Sequence, residues 1–112
     1  FHFAVNPANT QWDALSNVDW RRLAHDVANY NAKWRSAVRK DDTGWTVEMA
    51  IAWQDMGVDA PEPGESLRAN VGRKRHAKGW ELQSWAPQLR GSGFDYGVEF
   101  HRFGSWVVGT EP

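Results

Sequence analysis

Short runs of alternating apolar and polar residues, each closed by a turn, most strongly constrain the fold of this chain. The clearest example is residues 34–53, where the runs WRSAV and WTVEMAIAW flank the turn sequence KDDTG. Asp41 and Asp42 can accept hydrogen bonds from the backbone ahead of them, and Gly44 tolerates a positive φ. We therefore predict a β-hairpin here, with Trp45, Val47, Met49 and Ile51 on one face of its second strand.

The same pattern recurs along the chain and predicts an all-β fold. Residues 1–6 and 10–15 alternate around the turn sequence NPAN and predict a second hairpin. Residues 67–76 and the closing GSWVVG predict further strands. Several short strands between turns indicate an antiparallel β-sandwich. Residues 17–28 have a different pattern, because Ser16 can cap a helix and the apolar residues after it are spaced by five, four and three. This pattern predicts one short helix, and an irregular loop is the alternative.

Composition limits the classes of function. The chain has 112 residues, eight of them Trp, and this length predicts a single domain over 1–112 with a modest core. Such a core cannot easily enclose eight indoles, so some rings should reach the surface. A formal net charge of -1 argues against nucleic acid as a partner, and no apolar run approaches the roughly 20 residues that cross a membrane. The absence of Cys excludes disulfides and Cys-ligated metals.

An ordered set of motifs resembles a known family. The stretch DDTGWTVEMAIAWQDMGVDAPEPGESLRANVGR, then ELQSWAP, then RFGSWVV, resembles the family 9 carbohydrate-binding modules and their DOMON-like relatives, and FHFAVNP resembles the family's mid-domain Val-Asn strand. The resemblance covers most of the chain and implies a jelly-roll-like sandwich that binds polysaccharides or oligosaccharides without hydrolysing them. It also implies a module attached to a secreted glycosidase, in an extracellular or periplasmic location. It leaves open whether calcium is bound and implies no other cofactor.

The resemblance also implies ligand-binding residues. Two aromatic rings clamp a terminal sugar in the family, and the loop GSGFDYGVEFHRFG offers Phe94 or Tyr96 as the second ring. The family's polar partners correspond here to Asn6 and Asn70. A pyranose presents an apolar face and a rim of hydroxyls, which suits an aromatic plate beside short polar side chains. Trp80 follows a Lys-Gly turn and is interpreted equally as a surface plate or as rim packing.

Most other tryptophans are predicted to lie in the core. Trp85 matches a family position that we interpret as packing, and one-sided strand patterns favour burial of Trp45, Trp53 and Trp106. The same burial statistics favour the core for Trp12, Trp20 and Trp34.

The residues do not indicate an enzyme. Glu48 and Arg68 could suggest catalysis, but a single carboxylate inside a strand is more often an ion-pair partner, and a glycosidase needs two carboxylates roughly 5 to 10 Å apart. The turn explains Asp41 and Asp42 without catalysis. The four His are scattered, at positions 2, 25, 76 and 101, with no metal-binding spacing among them, so we expect no metal site of this type.

Two alternatives to carbohydrate binding remain. Family members begin with several strands that have no counterpart here, and the apolar face formed by Phe1, Phe3 and Val5 starts at the first residue. We therefore expect a domain truncated at its N-terminus, whose exposed edges self-associate or pair with a second chain that completes the sheet. The less favoured alternative is a haem-binding DOMON-type cytochrome domain with Met and His ligands, although Met49 is expected to lie in the core.

Overall fold

The computed structural model describes residues 1–18, 24–27, 30–76, 79, 81–86 and 102–109, with the backbone alone for 16–18 and 24–27. Within these ranges the chain forms short strands and one turn of 3-10 helix. The strands are β1 (His2–Val5), β2 (Gln11–Val18), β3 (Ala24–Val27), β4 (Arg35–Lys40), β5 (Trp45–Ala50), β6 (Ser66–Ala69), β7 (Gly72–Arg75), β8 (Glu81–Ser84) and β9 (Gly104–Val107), and the 3-10 helix is Trp53–Met56.

The strands form one sheet in the order β1-β2-β3 and the pairs β4-β5, β6-β9 and β7-β8. The pairs β1-β2, β4-β5, β6-β9 and β7-β8 are antiparallel. The prediction of an all-β, antiparallel fold is confirmed, and the packing of the sheets into a jelly-roll-like sandwich stays a prediction.

The chain divides into two compact units. Unit 1 comprises Phe1–Ser16 and Asp26–Ala60, and unit 2 comprises Asn17–His25 and Pro61–Pro112. This division describes compactness alone, so the prediction of a single domain over 1–112 stays a prediction. Each unit is described by itself below.

The first hairpin of unit 1 forms where the alternation predicts it. Strands β1 and β2 pair with Phe3 opposite Asp13 and Val5 opposite Gln11. Asn9 in the connecting turn has φ 61°, a left-handed conformation that Asn tolerates better than most residues. The prediction of a hairpin over residues 1–6 and 10–15 is therefore confirmed.

The β4-β5 hairpin is also confirmed, and its turn is held by a single carboxylate. Oδ1 of Asp41 accepts hydrogen bonds from the N–H of Thr43 at 2.8 Å and of Gly44 at 3.0 Å, and from the Thr43 hydroxyl. These bonds stabilise the ionised form and lower the pKa of Asp41, the Thr43 hydroxyl being the largest cause. The second strand ends at Ala50, earlier than predicted, because residues 53–56 turn into the 3-10 helix.

The core of unit 1 is centred on Trp34. This side chain is 8% exposed, and Ala14 of β2 is 4% exposed. Asp13 accepts hydrogen bonds from the N–H of Ala32 at 2.7 Å and from Nε1 of Trp34 at 3.4 Å. The Phe3 ring meets the indole edge to face, with centroids 5.5 Å apart. The indole is therefore buried with both its ring and its polar N–H in contact with partners.

Unit 2 contains one long run of extended chain that is interrupted at Asn70 and Val71. Residues 67–76 were expected as one strand, but β6 pairs with β9 while β7 pairs with β8. The N–H of Trp85 donates to the Val71 carbonyl at 2.8 Å, which extends the β7-β8 ladder by one position. The buried residue of this unit among those described is Ala86, which is 5% exposed.

The prediction of a helix over 17–28 is wrong wherever the structure describes that segment. Residues 17–18 end β2 and residues 24–27 form β3, while the remainder of the segment lies outside the described residues. A helix this short is marginal without packing, and pairing in the three-stranded sheet satisfies the backbone instead. Within the described ranges, no helix is long and apolar enough to cross a bilayer.

Four of the described tryptophans are more exposed than their sequence patterns predict, and Trp20 lies outside the described residues. Burial of Trp34 is confirmed and Trp45 is half-buried. The exposed fraction is 46% for Trp12, 37% for Trp53, 55% for Trp85 and 46% for Trp106, so the prediction that these rings lie in the core is wrong. Met49, also expected in the core, is 40% exposed. The pattern identifies which face of a strand is apolar, but sheets of only two or three strands leave much of that face in water.

Candidate functional site

The structure describes two of the predicted ligand-binding residues. Asn6 lies in unit 1 and Asn70 in unit 2. Phe94, Tyr96 and Trp80 lie outside the described residues, so their predicted roles as aromatic plates stay predictions.

Asn6 stabilises the turn between β1 and β2. Its Oδ1 accepts hydrogen bonds from the N–H groups of Ala8 and Thr10, both at 2.9 Å. Its own N–H donates to the Thr10 carbonyl at 3.1 Å. This is the local side-chain to backbone bonding that makes Asn common in turns. The structure thus gives Asn6 a role in the fold, and ligand binding by its side chain stays a prediction.

Asn70 links the interruption in the long extended run to the segment that follows β8. Its Nδ2 donates to Oγ of Ser84 at 2.8 Å, and its Oδ1 accepts from the N–H of Ala86 at 2.8 Å. Oγ of Ser84 in turn donates to the Ala86 carbonyl at 2.7 Å. Both ends of the Asn70 amide are therefore engaged in holding residues 84–86, and Trp85 lies in the middle of that segment.

Two exposed indoles lie side by side on unit 2. The ring centroids of Trp85 and Trp106 are 6.2 Å apart, and the ring planes are inclined at 56°. Both rings keep about half of their surface in water, at 55% and 46% exposed. This arrangement, called the indole pair below, presents two flat apolar surfaces that meet at an angle.

The backbone of Gly104 supports the indole pair. A Cβ placed on Gly104 would overlap the six-membered ring of Trp85, so the indole lies directly against the glycine backbone. Gly104 and Trp106 are two residues apart in β9 and share a face of the β6-β9 ladder. Leu67 and Ala69 lie opposite them on β6, and both are half-buried. The absence of a side chain at residue 104 thus lets Trp85 lie beside Trp106.

Unit 1 carries an open groove beside Trp34. Its volume is about 920 Å³. Its walls combine cationic, anionic, amide and apolar side chains, including Lys33, Arg35, Asp55, Gln54, Met49 and Ile51. The groove has no consistent chemical character, and Trp34 is buried beneath it, so it provides no exposed plate.

The described titratable groups carry mainly structural roles. Asp41 fixes its turn, and Glu81 bonds to Arg75 and Gln83. Glu48 lies exposed on β5 opposite Ala37. Across the part of the chain that the structure describes, no three His, Asp or Glu side chains gather closely enough to hold a metal ion.

Sequence reasoning missed the indole pair, because it placed Trp85 and Trp106 in the core. The one local signal was Gly104, two residues before Trp106, since a glycine inside a strand often marks a close approach of another group.

No protein-family model, curated protein or solved structure matches this chain. The resemblance to family 9 carbohydrate-binding modules therefore remains an expectation from the quoted motifs.

Proposed function

We propose that the chain is a non-catalytic carbohydrate-binding module that stacks a glycan on the indole pair. The observation that carries this proposal is the exposure of Trp85 and Trp106 on one supported surface, at 55% and 46%. Large aromatic rings normally contribute their area to a core, so two neighbouring exposed rings suggest a surface for a ligand. The proposal keeps the expected membership of the family 9 modules and an extracellular or periplasmic location.

The geometry of the indole pair suits a sugar better than a flat aromatic ligand. The two planes are inclined at 56°, so they do not form a slot with parallel walls. The apolar C–H face of one pyranose can lie on each plane while its hydroxyl rim stays in water. Contact of this kind needs no desolvation of charge, which supports binding without catalysis.

The supports of Trp85 favour a preformed surface. Asn70 fixes residues 84 and 86 on either side of the ring, and the Gly104 backbone lies beneath it. A ring already held in its binding orientation loses little conformational entropy when a ligand arrives. Each stacked ring contributes about 1 kcal/mol, so we expect Kd values from millimolar to micromolar for short oligosaccharides.

Affinity gel electrophoresis against neutral β-glucans, xylans and mannans tests the proposal. We expect retardation by at least one neutral polysaccharide, and a weakening of binding by about fivefold or more in Trp85→Ala and Trp106→Ala. Trp12→Ala is the matched control, because Trp12 has the same 46% exposure as Trp106 but lies in unit 1. Retardation that survives both indole substitutions would refute this site, and substitutions of Trp80, Phe94 and Tyr96 would then be tested next.

Assembly through sheet edges is the second candidate. Strand β9 pairs only with β6 among the described strands, and Val107 on β9 is 67% exposed. An uncovered edge beside an exposed apolar residue favours pairing with another chain. Light scattering coupled to size exclusion tests this candidate, since a particle near the 12.8 kDa of a single chain at micromolar concentration would contradict it.

A further inference from the structure

The indole pair continues into a row of charged and polar side chains. In the β7-β8 ladder Arg73 lies opposite Gln83 and Arg75 lies opposite Glu81. The hydrogen bond from Trp85 to Val71 adds the next rung of the same ladder. Side chains two residues apart on a strand share a face, so Trp85, Gln83 and Glu81 lie in one row, with Val71, Arg73 and Arg75 beside them. One face of this ladder therefore begins with an aromatic plate and continues with polar groups.

The spacing of this row suits successive units of a chain-like ligand. Residues i and i+2 of a strand are about 6.6 Å apart, and diagonal neighbours across a ladder are about 7–8 Å apart. Arg73 is the diagonal neighbour of Trp85, so its long side chain can reach a group attached to a sugar stacked on that indole. A ligand can reach the Arg73 side chain, because both Arg73 and Gln83, which lies opposite it, are exposed.

The charges of this row are unevenly satisfied. Arg75 forms an ion pair with Glu81 at 3.4 Å, and Nε2 of Gln83 donates to the second oxygen of Glu81 at 2.6 Å. Glu81, the one described carboxylate in this row, is thus already compensated. Arg73 forms no ion pair with any described residue, so the described part of the row offers a guanidinium without a carboxylate partner next to Trp85.

We infer that this face selects glycans that carry carboxylate groups, with Trp85 stacking one sugar and Arg73 binding the carboxylate of a uronic acid. This inference rests on the proposed carbohydrate binding and adds the substrate class to it. A guanidinium presents two parallel N–H donors that match the two oxygens of a carboxylate, and it stays charged at every physiological pH. Gln83, opposite Arg73, adds an amide that can donate to a neighbouring hydroxyl.

The test compares acidic glycans with uncharged forms of the same backbone. Glucuronoxylan is paired with its carboxyl-reduced form, and polygalacturonate with its methyl ester, so that no single sugar decides the result. We expect the acidic member of at least one pair to bind about three- to tenfold more tightly at low ionic strength. This preference should shrink in 0.5 M NaCl, where the screening length falls to about 4 Å.

Variants of Arg73 assign the preference to this side chain. Arg73→Gln should reduce the ratio of acidic to neutral affinity to about one, and Arg73→Lys should keep part of it, because a point charge attracts a carboxylate without the two-point match. Arg39→Gln is the matched control, since Arg39 is an exposed strand arginine of unit 1 and its loss should preserve the ratio. Circular dichroism confirms that each variant folds.

The outcomes separate this inference from the function on which it rests. Equal affinity for both members of each pair would overturn acidic selectivity and leave stacking on the indole pair intact. An acidic preference that survives Arg73→Gln would also overturn it. Absence of binding to all four glycans would overturn acidic selectivity, and it would overturn both proposals only if the neutral β-glucans, xylans and mannans also fail to bind. Equal or tighter binding of a single-stranded oligonucleotide that competes with the acidic glycan would instead assign this face to nucleic acid.

Discussion

Unit 1 and unit 2 each place a tryptophan against a small β-sheet, and the environments of these rings differ. Trp34 of unit 1 is 8% exposed, with Asp13 accepting from its N–H and Phe3 against its face. Trp85 of unit 2 is 55% exposed and rests on the backbone of a glycine. An indole becomes core when a partner accepts its N–H and other side chains enclose its ring. Where only one side is supported, the ring remains a surface.

The two units also differ in the polar group that holds the backbone in place. Asp41 holds the β4-β5 turn with a carboxylate, whereas Asn70 holds the segment carrying Trp85 with a neutral amide. Both satisfy backbone N–H groups that water would otherwise have to reach. A carboxylate makes its turn sensitive to acid, while an amide does not titrate in the physiological range. The supports of the proposed ligand surface are thus independent of pH.

The largest difference in stability is expected when the buried Trp34 and the exposed Trp85 are each replaced by alanine. Trp34→Ala should lower the free energy of unfolding by about 3–5 kcal/mol, because it leaves a cavity in the core of unit 1 and removes one of the two hydrogen bonds that Asp13 accepts. Trp85→Ala should cost about 1–2 kcal/mol, since roughly half of the ring is already in water. Urea denaturation followed by circular dichroism measures both. Equal losses would show that exposure does not separate the two rings.

Adding a methyl group beneath Trp85 should destabilise unit 2 by less than Trp34→Ala destabilises unit 1. Gly104→Ala places a Cβ where the indole lies, so we expect a loss of about 1–3 kcal/mol or a displaced ring with altered fluorescence. The double variant Gly104→Ala with Trp85→Ala should recover much of the loss, since it removes the clash. Gly109→Ala is the control, because a Cβ there meets nothing within 4 Å. Additive losses in the double variant would contradict this contact.

Tyr30 in unit 1 provides a contrast with Trp34, because its polar group lacks a partner. The Tyr30 hydroxyl is buried and makes no hydrogen bond to any described residue. Tyr30→Phe should therefore raise the free energy of unfolding by about 1 kcal/mol at pH 7. Destabilisation by this substitution would show that the hydroxyl is bonded.

The pH dependence of the same variant provides a second measurement. Burial, and then the charge of Asp13, raises the pKa of Tyr30 above 10.0. Between the unfolded and the folded pKa the native state alone keeps the proton, so the stability of the wild-type chain should fall as pH rises through this window. The variant should lack this fall.

The smallest expected effect concerns the two turn supports. The lowered pKa of Asp41 means that its contribution is present above its ordinary value of 3.8 and is lost as pH falls through the lower folded value. The urea midpoint of Asp41→Asn should lie slightly below that of wild type at pH 7, and the difference should shrink as pH falls below 3.8. The Asn70 amide does not titrate in this range, so it adds no such dependence. A difference between Asp41→Asn and wild type that does not shrink in acid would contradict the role of the ionised carboxylate.

The sequence by itself determined the local structure of this chain. Alternation and turn residues predicted the β1-β2 and β4-β5 hairpins and the strand at GSWVV, because side-chain periodicity and Asn or Asp turns act within a few residues. The helix predicted over 17–28 is wrong at the described residues 17–18 and 24–27, where a contact beyond the local sequence prevailed. Its spacing was a weak local preference, and pairing with β2 in a three-stranded sheet decided the outcome.

Only the tertiary structure decided which aromatic rings are core and which are surface. Both Trp34 and Trp106 belong to runs of alternating apolar and polar residues. Trp34 is nevertheless enclosed by Asp13 and Phe3, whereas Trp106 lies beside Trp85 on an exposed face. The partners that settle this are distant in sequence: Asp13 lies 21 residues from Trp34. The alternation of apolar and polar residues predicts which side of a strand is apolar. Whether that side is buried depends on which distant segment packs against it.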